Sequence, residues 1–318
     1  MKAVVCKAFG TPDELVIEEW PLPELGDDEV RVQLHARGVS YTDLLKVAGQ
    51  YQVKNDPPFV VGGEACGEIV GLGAKVASLR VGQRVLCGGG FAEFAQQPAG
   101  EVIVLPDNVD FRAGAAFRSN YMTAYYGLQR GRLKPGETLL VHGAAGGVGL
   151  AAVDMGKLMG ARVIATARSE ERLEVVKNMG ADHVIDYSDG FREEVKALTD
   201  GLGADVIYDP VGGDVFDESV RCIAPFGRIL IVGFTGGRAA LAKTNHLLVK
   251  DAEVIGYTLG GLQKHAPEWS ENNLNDLIRW LASGRISPYY SHALPISDVA
   301  EAFKLLKDRA IIGKAILV

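Results

Sequence analysis

Apolar positions follow two different textures along this chain. Up to about residue 118, short apolar runs are cut by glycine-rich turns: 29–36 alternates Val30, Val32, Leu34 and Ala36, and runs at 68–70, 84–86 and 102–105 follow. Period-two alternation predicts half-buried strands, and Gly62-Gly63, Gly71, Gly73, Gly82 and Gly88-Gly89-Gly90 predict the tight corners of a barrel-like β domain. From about Asn120 strand-like runs alternate with helix-like segments, at 138–141, 162–166, 183–185, 206–208, 228–232 and 253–257. That rhythm predicts a parallel sheet with helices on both faces. The tail predicts helices at 273–282 and 297–306, a turn near Pro288 and a last strand at 314–318.

One turn carries chemistry. His142-Gly143-Ala144-Ala145-Gly146-Gly147-Val148-Gly149 joins the strand 138–141 to a small-residue helical run at 150–159; Lys134-Pro135-Gly136-Glu137 turns the chain before it, Gly160 stops it, and 161–167 supplies a second strand. This is a βαβ unit whose glycines admit a dinucleotide's phosphates to a helix N-terminus. An NAD site wants a carboxylate roughly 20 residues beyond those glycines. Here the strand tip reads Ala165-Thr166-Ala167-Arg168-Ser169, with Arg172 one helical turn on. Cations there suit a 2′-phosphate and point to NADPH, the plain alternative being a solvated helix face. Ser169 reads as an N-cap, which leaves Glu170 and Glu171 to complement the helix dipole.

At 318 residues the chain suits two domains, and 47% apolar with 23% charged residues is a globular balance. A net charge of −7 argues against broad nucleic-acid binding. Cys6, Cys66, Cys87 and Cys222 are scattered without a C-x-x-C pair, so neither a disulfide framework nor a zinc ribbon is indicated. No apolar run is long enough to span a bilayer, and the start Met1-Lys2-Ala3-Val4-Val5-Cys6 reads as a strand, not a signal peptide; the expectation is a soluble, cytoplasmic protein.

These pieces resemble, nearly end to end, a medium-chain dehydrogenase/reductase of the zinc-free quinone oxidoreductase type. Besides the glycine loop, the resemblance rests on Tyr208-Asp209-Pro210-Val211-Gly212-Gly213-Asp214, Gly227-Arg228-Ile229-Leu230-Ile231-Val232-Gly233-Phe234, Asn245 with Leu247-Leu248-Val249-Lys250, and Gly313-Lys314. It implies an α/β protein: a GroES-like β-rich catalytic domain from residues 1–119 and 265–318, and a Rossmann cofactor-binding domain, a doubly wound parallel sheet, at 120–264. It further implies an active site between the domains and a homodimer built by edge pairing of Rossmann sheets, with the strand 253–257 as the edge. Zinc-binding members carry ligands at positions that here read Ser40, Gly63 and Asn120, none a thiolate, imidazole or carboxylate. No metal is expected. Without a Lewis acid, the chemistry tilts towards acceptors that stabilise negative charge themselves, such as quinones and conjugated enones.

Carried over residue by residue, the resemblance assigns Gly146, Gly147, Val148 and Gly149 to the pyrophosphate, Arg168 and Arg172 to the 2′-phosphate, and Tyr187 to the adenine or to sheet-edge packing. Gly233 and Phe234 fall beside the nicotinamide ribose, and Lys314 in the returning tail is either a cofactor contact or a surface lysine. Around the reacting carbon it places Ser40, Thr123 and Tyr51, whose phenol either donates a proton to the developing oxyanion or merely walls the site. Arg118 departs from the pattern and fits an acidic substrate group or a salt bridge to a neighbouring acid. His142 reads as half-buried structure. The expectation is an NADPH-dependent quinone or enone reductase acting on a small molecule, with no nucleic acid or membrane partner; the alternatives are an enoyl-CoA or acrylate-type reductase and an NADPH-binding structural or regulatory protein.

Overall fold

The strand Glu29–Val39 organises the first of two units. It pairs antiparallel with Glu64–Leu72, with Phe94–Pro98 and with the closing strand Lys314–Leu317. In this computed structural model, which describes residues 1–53 and 55–318, that unit comprises Met1–Arg118 with Pro288–Val318, and the second comprises Ser119–Ser287. Val30, Val32 and Leu34 point inward from the long strand onto Ile69, Val85, Cys87 and Ala95, as the alternation requires. Two register shifts bend the Glu29–Val39 pairing, and there Gly67 is obligatory: a Cβ would run into the carbonyl oxygen of Gln33.

The returning tail completes this unit. Ala315 and Ile316 register against Val39 and Gly38, and the helix Val299–Lys307 packs Phe303 against Phe91, ring centroids 6.0 Å apart. Both rings are fully buried, each contributing about 1.5–3 kcal/mol of hydrophobic stabilisation.

In the second unit the parallel strands run in the order His183–Asp186, Arg162–Ala167, Thr138–Val141, Ala204–Asp209, Ile223–Ile231, Glu253–Gly256. In chain order this is 3-2-1-4-5-6, the doubly wound Rossmann arrangement, with its switch point between Thr138–Val141 and Ala204–Asp209. Leu139, Leu140, Val163, Ile164, Val206, Ile207 and Ile229 are all fully buried, as near-continuous apolar strands covered on both faces should be.

The units part at 118/119 and 287/288, so the helix Pro267–Ala282, which the sequence reading assigned to the catalytic domain from residue 265, lies in the second unit. Side-chain packing explains the shift. Trp269 and Trp280 meet Tyr126 and Tyr125 edge-on at 5.1 and 5.2 Å, and Asn273 exchanges hydrogen bonds with Gln129. The helices Tyr41–Val47, Phe111–Ala115 and Leu259–His265 were not anticipated; they span at most two turns, too short for a periodic signal. Among the described residues, no helix is long and apolar enough to cross a membrane.

Candidate active site

The glycine loop closes the central strand Thr138–Val141 and opens the helix Gly147–Leu158, three residues earlier than expected because Gly146 serves as N-cap. Bonds from Ala144 N–H to Thr166 O and from Gly146 N–H to Gly143 O fix the turn. The amides of the first helical turn lack intrahelical acceptors and gather the positive end of the dipole at the sheet's switch point. The glycines divide by what surrounds them. A Cβ on Gly149 would strike the Gly143 carbonyl oxygen, and one on Gly147 would sit 2.7 Å from the Asn120 amide, whereas one on Gly146 would meet only Gly143 O at 3.3 Å. Gly149 is therefore required by backbone packing, Gly147 is crowded by a side-chain amide that would have to shift, and Gly146 has the most room of the three.

At the tip of the strand Arg162–Ala167, Arg168 is exposed, its guanidinium 4.6 Å from the Tyr187 ring centroid. Asp186 lies beside it, but its Oδ1 is taken by the N–H and hydroxyl of Ser188. Those bonds hold its carboxyl below the ordinary range. Arg168 adds a through-space attraction to that carboxylate but makes no ion pair within 4 Å among the described residues. Arg172 follows in the helix Glu170–Asn178, half-buried and engaged in a contact of its own. Ser169 stands at the N-cap position with φ +75°, but its side chain caps nothing; the expected hydroxyl cap is absent because this left-handed backbone turns it away from the helix amides.

The first unit assembles Ser40, Asp43, Lys46 and Tyr51 around the helix Tyr41–Val47. Asp43 Oδ2 accepts from the Ser40 N–H at 2.9 Å and its hydroxyl at 2.6 Å, a reciprocal helix-start arrangement. Ser40 is thereby committed to holding the helix. Burial pushes the Asp43 carboxyl up, opposed by the Ser40 bonds and by Lys46 and Lys314. Lys314 is not a surface lysine: it is 4% exposed and 3.6 Å from Glu64. Tyr51 is half-buried; its N–H bonds Leu45 O, and its hydroxyl has no protein partner among the described residues.

Thr123 donates its hydroxyl to Ser119 O, while its carbonyl accepts from Tyr257 Oη. Gly233 and Phe234 follow the strand Ile223–Ile231, with Phe234 exposed next to Gly212. Val211 and Gly212 give their N–H groups to Asp209 Oδ1, so these amides are already spent. The buried Oδ2 of Asp209 finds no partner among the described residues, and burial pushes its carboxyl up. Arg118 opens the helix Arg118–Arg130 half-buried, with no acidic partner among the described residues, so of its two expected roles the salt bridge is not seen.

His142 is fully buried, not half-buried. Ser219 spends its hydroxyl proton on Val215 O, so it accepts from His142 Nε2–H at 2.9 Å, and Nδ1 accepts from the Thr166 hydroxyl at 3.0 Å. Both ring nitrogens are satisfied by the neutral form, and burial pulls the imidazole down to about 3. It cannot act as a base towards a ligand.

Comparison with known proteins fits this geometry. The model described as "Alcohol dehydrogenase GroES-like domain" matches residues 26–107, and that described as "Zinc-binding dehydrogenase" matches 147–282. A quinone oxidoreductase-like protein 2 homolog from Nematostella vectensis is 40% identical, over 99% of this chain and 88% of its own. The chain belongs to the medium-chain dehydrogenase/reductases, of the zinc-free quinone oxidoreductase type. Escherichia coli quinone oxidoreductase, solved complexed with NADPH, is 27% identical with a TM-score of 0.90 over 100% of both chains. A mycobacterial protein, also complexed with NADPH, is 30% identical with the same score and coverage.

This oxidoreductase carries Ser40, Gly63 and Asn120 where zinc-binding members have ligands. Ser40 is bound to Asp43, Gly63 has no donor, and the Asn120 amide packs on Gly147. Among the described residues, no group of three or more His, Cys, Asp or Glu side chains could hold a metal ion.

Proposed function

We propose that this oxidoreductase takes hydride from NADPH and delivers it to a quinone or a conjugated carbon–carbon double bond. The observation that carries the reading is Arg168, an exposed cation without an ion pair among the described residues, laid against Tyr187 where an NAD-type site wants a carboxylate. The open space at Gly146, in front of the Gly147–Leu158 helix start, accommodates a pyrophosphate. The NADPH complexes of the E. coli and mycobacterial neighbours support the same cofactor.

When bound, NADPH supplies the hydride from nicotinamide C4. The chain's own residues do the rest in this reading. Amides of Gly147, Val148 and Gly149 would hold the pyrophosphate and Arg168 the 2′-phosphate, with Tyr187 holding the guanidinium. Gly233, Phe234 and Thr123 would flank the nicotinamide. Tyr51, its hydroxyl uncommitted, protonates the oxygen of the reduced acceptor. Holding donor and acceptor in reach of each other is worth roughly 7–11 kcal/mol, so no strong acid or base is needed.

NADPH oxidation against a panel of quinones, enals, acrylates, enoyl-CoA esters and simple ketones tests this. Turnover of quinones or conjugated acceptors, and not of simple ketones, is expected. Binding without oxidation of any acceptor contradicts it and favours a structural or regulatory NADPH-binding protein. Arg118, without an acidic partner among the described residues, favours a second reading, an acrylate or enoyl-CoA acceptor whose carboxylate or phosphate it would take, and the same panel separates the two. The reading includes a homodimer through the edge strand Glu253–Gly256. Nearby Leu248 and Val249 are about four-fifths exposed, and light scattering reports the mass.

A further inference from the structure

We propose that Lys46 is a catalytic cation of the acceptor site, its ammonium stabilising the negative charge that appears on the acceptor oxygen during reduction. This rests on the reading above, that Tyr51 serves the acceptor, and adds a residue for which neither the sequence motifs nor the resemblance gave a role.

Lys46 lies on the last turn of the helix Tyr41–Val47, its side chain 23% exposed. Its Nζ is 3.8 Å from Asp43 Oδ1 and 5.9 Å from the Tyr51 ring centroid. At 3.8 Å the pair with Asp43 is an ion pair without a hydrogen bond, and the carboxylate's other oxygen is bound twice by Ser40. Among the described residues the ammonium makes no hydrogen bond at all. A lysine carries three donors; here the charge is anchored and every donor remains unspent. The other lysine near Asp43 is in the opposite condition, Lys314 being buried against Glu64.

Gly63 keeps the ammonium uncovered. Among the described residues, chain neighbours aside, the one atom within 4 Å of a Cβ built at that position is Lys46 Nζ, at 3.6 Å, an ordinary contact distance, so a branched side chain there would border the cation and narrow the approach to it. A solvated surface ion pair would need neither the fixed partner nor the bare neighbour. Lys46 and Tyr51 together present, on one patch of the first unit, an ammonium and a hydroxyl that make no hydrogen bond among the described residues.

The step they serve balances simply. Hydride forms a new bond to the acceptor and breaks the C–H bond of reduced nicotinamide. The displaced π pair of the acceptor moves onto its carbonyl oxygen, and a proton from Tyr51 or water then neutralises that oxyanion, leaving oxidised nicotinamide. Charge on oxygen is largest between these two transfers, when a fixed cation contributes most.

The test uses Lys46→Met, Lys46→Arg and Gly63→Val, with thermal melting to show that each folds. Lys46→Met is expected to lower kcat for an accepted quinone or enone on the order of 10- to 100-fold, with NADPH affinity unchanged. Arginine should restore most of it, and Gly63→Val should reproduce the defect with Lys46 intact. Independently of turnover, 4-nitrophenol is expected to bind the wild type as its coloured phenolate, and Lys46→Met to lose that preference. Unchanged kcat in Lys46→Met, or loss of activity through NADPH affinity, overturns the assignment of Lys46. Failure of the wild type to oxidise NADPH with every acceptor overturns the underlying reading instead, and the phenolate measurement then judges the cation site by itself.

Discussion

The guanidinium carbon of Arg168 lies 4.6 Å from the centroid of the Tyr187 ring, which ties the tip of the second Rossmann strand to the turn after the third. An exposed contact of this kind is worth about 0.5–1 kcal/mol, enough to favour one arginine conformer while leaving its donors free. Arg168→Ala is expected to weaken NADPH binding about 10-fold and to leave NADH unchanged, as loss of a charge-assisted hydrogen bond on an exposed site implies. Fluorescence titration with both nucleotides reads this directly, and equal losses would exclude a role at the 2′-phosphate.

The glycine loop separates folding from binding. Gly149→Ala forces a methyl onto the Gly143 carbonyl and should cost about 1–3 kcal/mol of stability, seen as a lower melting temperature without ligand. Gly146→Ala meets one atom at 3.3 Å, so it should melt near the wild type yet bind NADPH more weakly. The opposite pattern would mean that Gly146 is also a packing residue.

His142 makes stability depend on acid. Its folded value, about 3, lies below the ordinary 6.5, so between those limits the unfolded chain binds more protons and stability falls as pH falls. The loss from this group begins below about pH 6.5, reaches about 2 kcal/mol at pH 5 and is complete near pH 3. Urea melts across this range should show that slope in the wild type and a shallower one in His142→Gln; identical slopes would remove His142 as the cause.

Tyr51→Phe is expected to reduce kcat by about 10-fold, the modest end of general-acid effects because water can deliver the proton. NADPH affinity should not move. Steady-state kinetics that show full turnover would leave Tyr51 as a wall of the site.

Residue patterns revealed the Rossmann half well, because its buried strands are continuous apolar runs and its loop has few alternatives to glycine. Side-chain commitments were far less legible. Nothing in the sequence distinguishes Gly147 and Gly149, constrained by Asn120 and Gly143, from Gly146. Ser40 looked like a site residue, but its partner is Asp43, three positions on; the capping spacing S-x-x-D around Ser40 was the available signal. The burial of Lys314 and of His142 was illegible for the same reason. A lone lysine or histidine gives no hint of burial until Glu64, or Thr166 and Ser219, are known to surround it. The division near residue 287 depended on contacts between Trp269, Trp280 and two tyrosines far away in sequence.

NADPH-dependent reduction requires a cofactor site that favours a 2′-phosphate. Equilibrium titration of the full chain with NADPH and NADH under one buffer measures that choice: NADPH should bind at least about 10-fold tighter, as one phosphate held by a guanidinium implies. No uptake of either nucleotide, or NADH bound as tightly as NADPH, would contradict it.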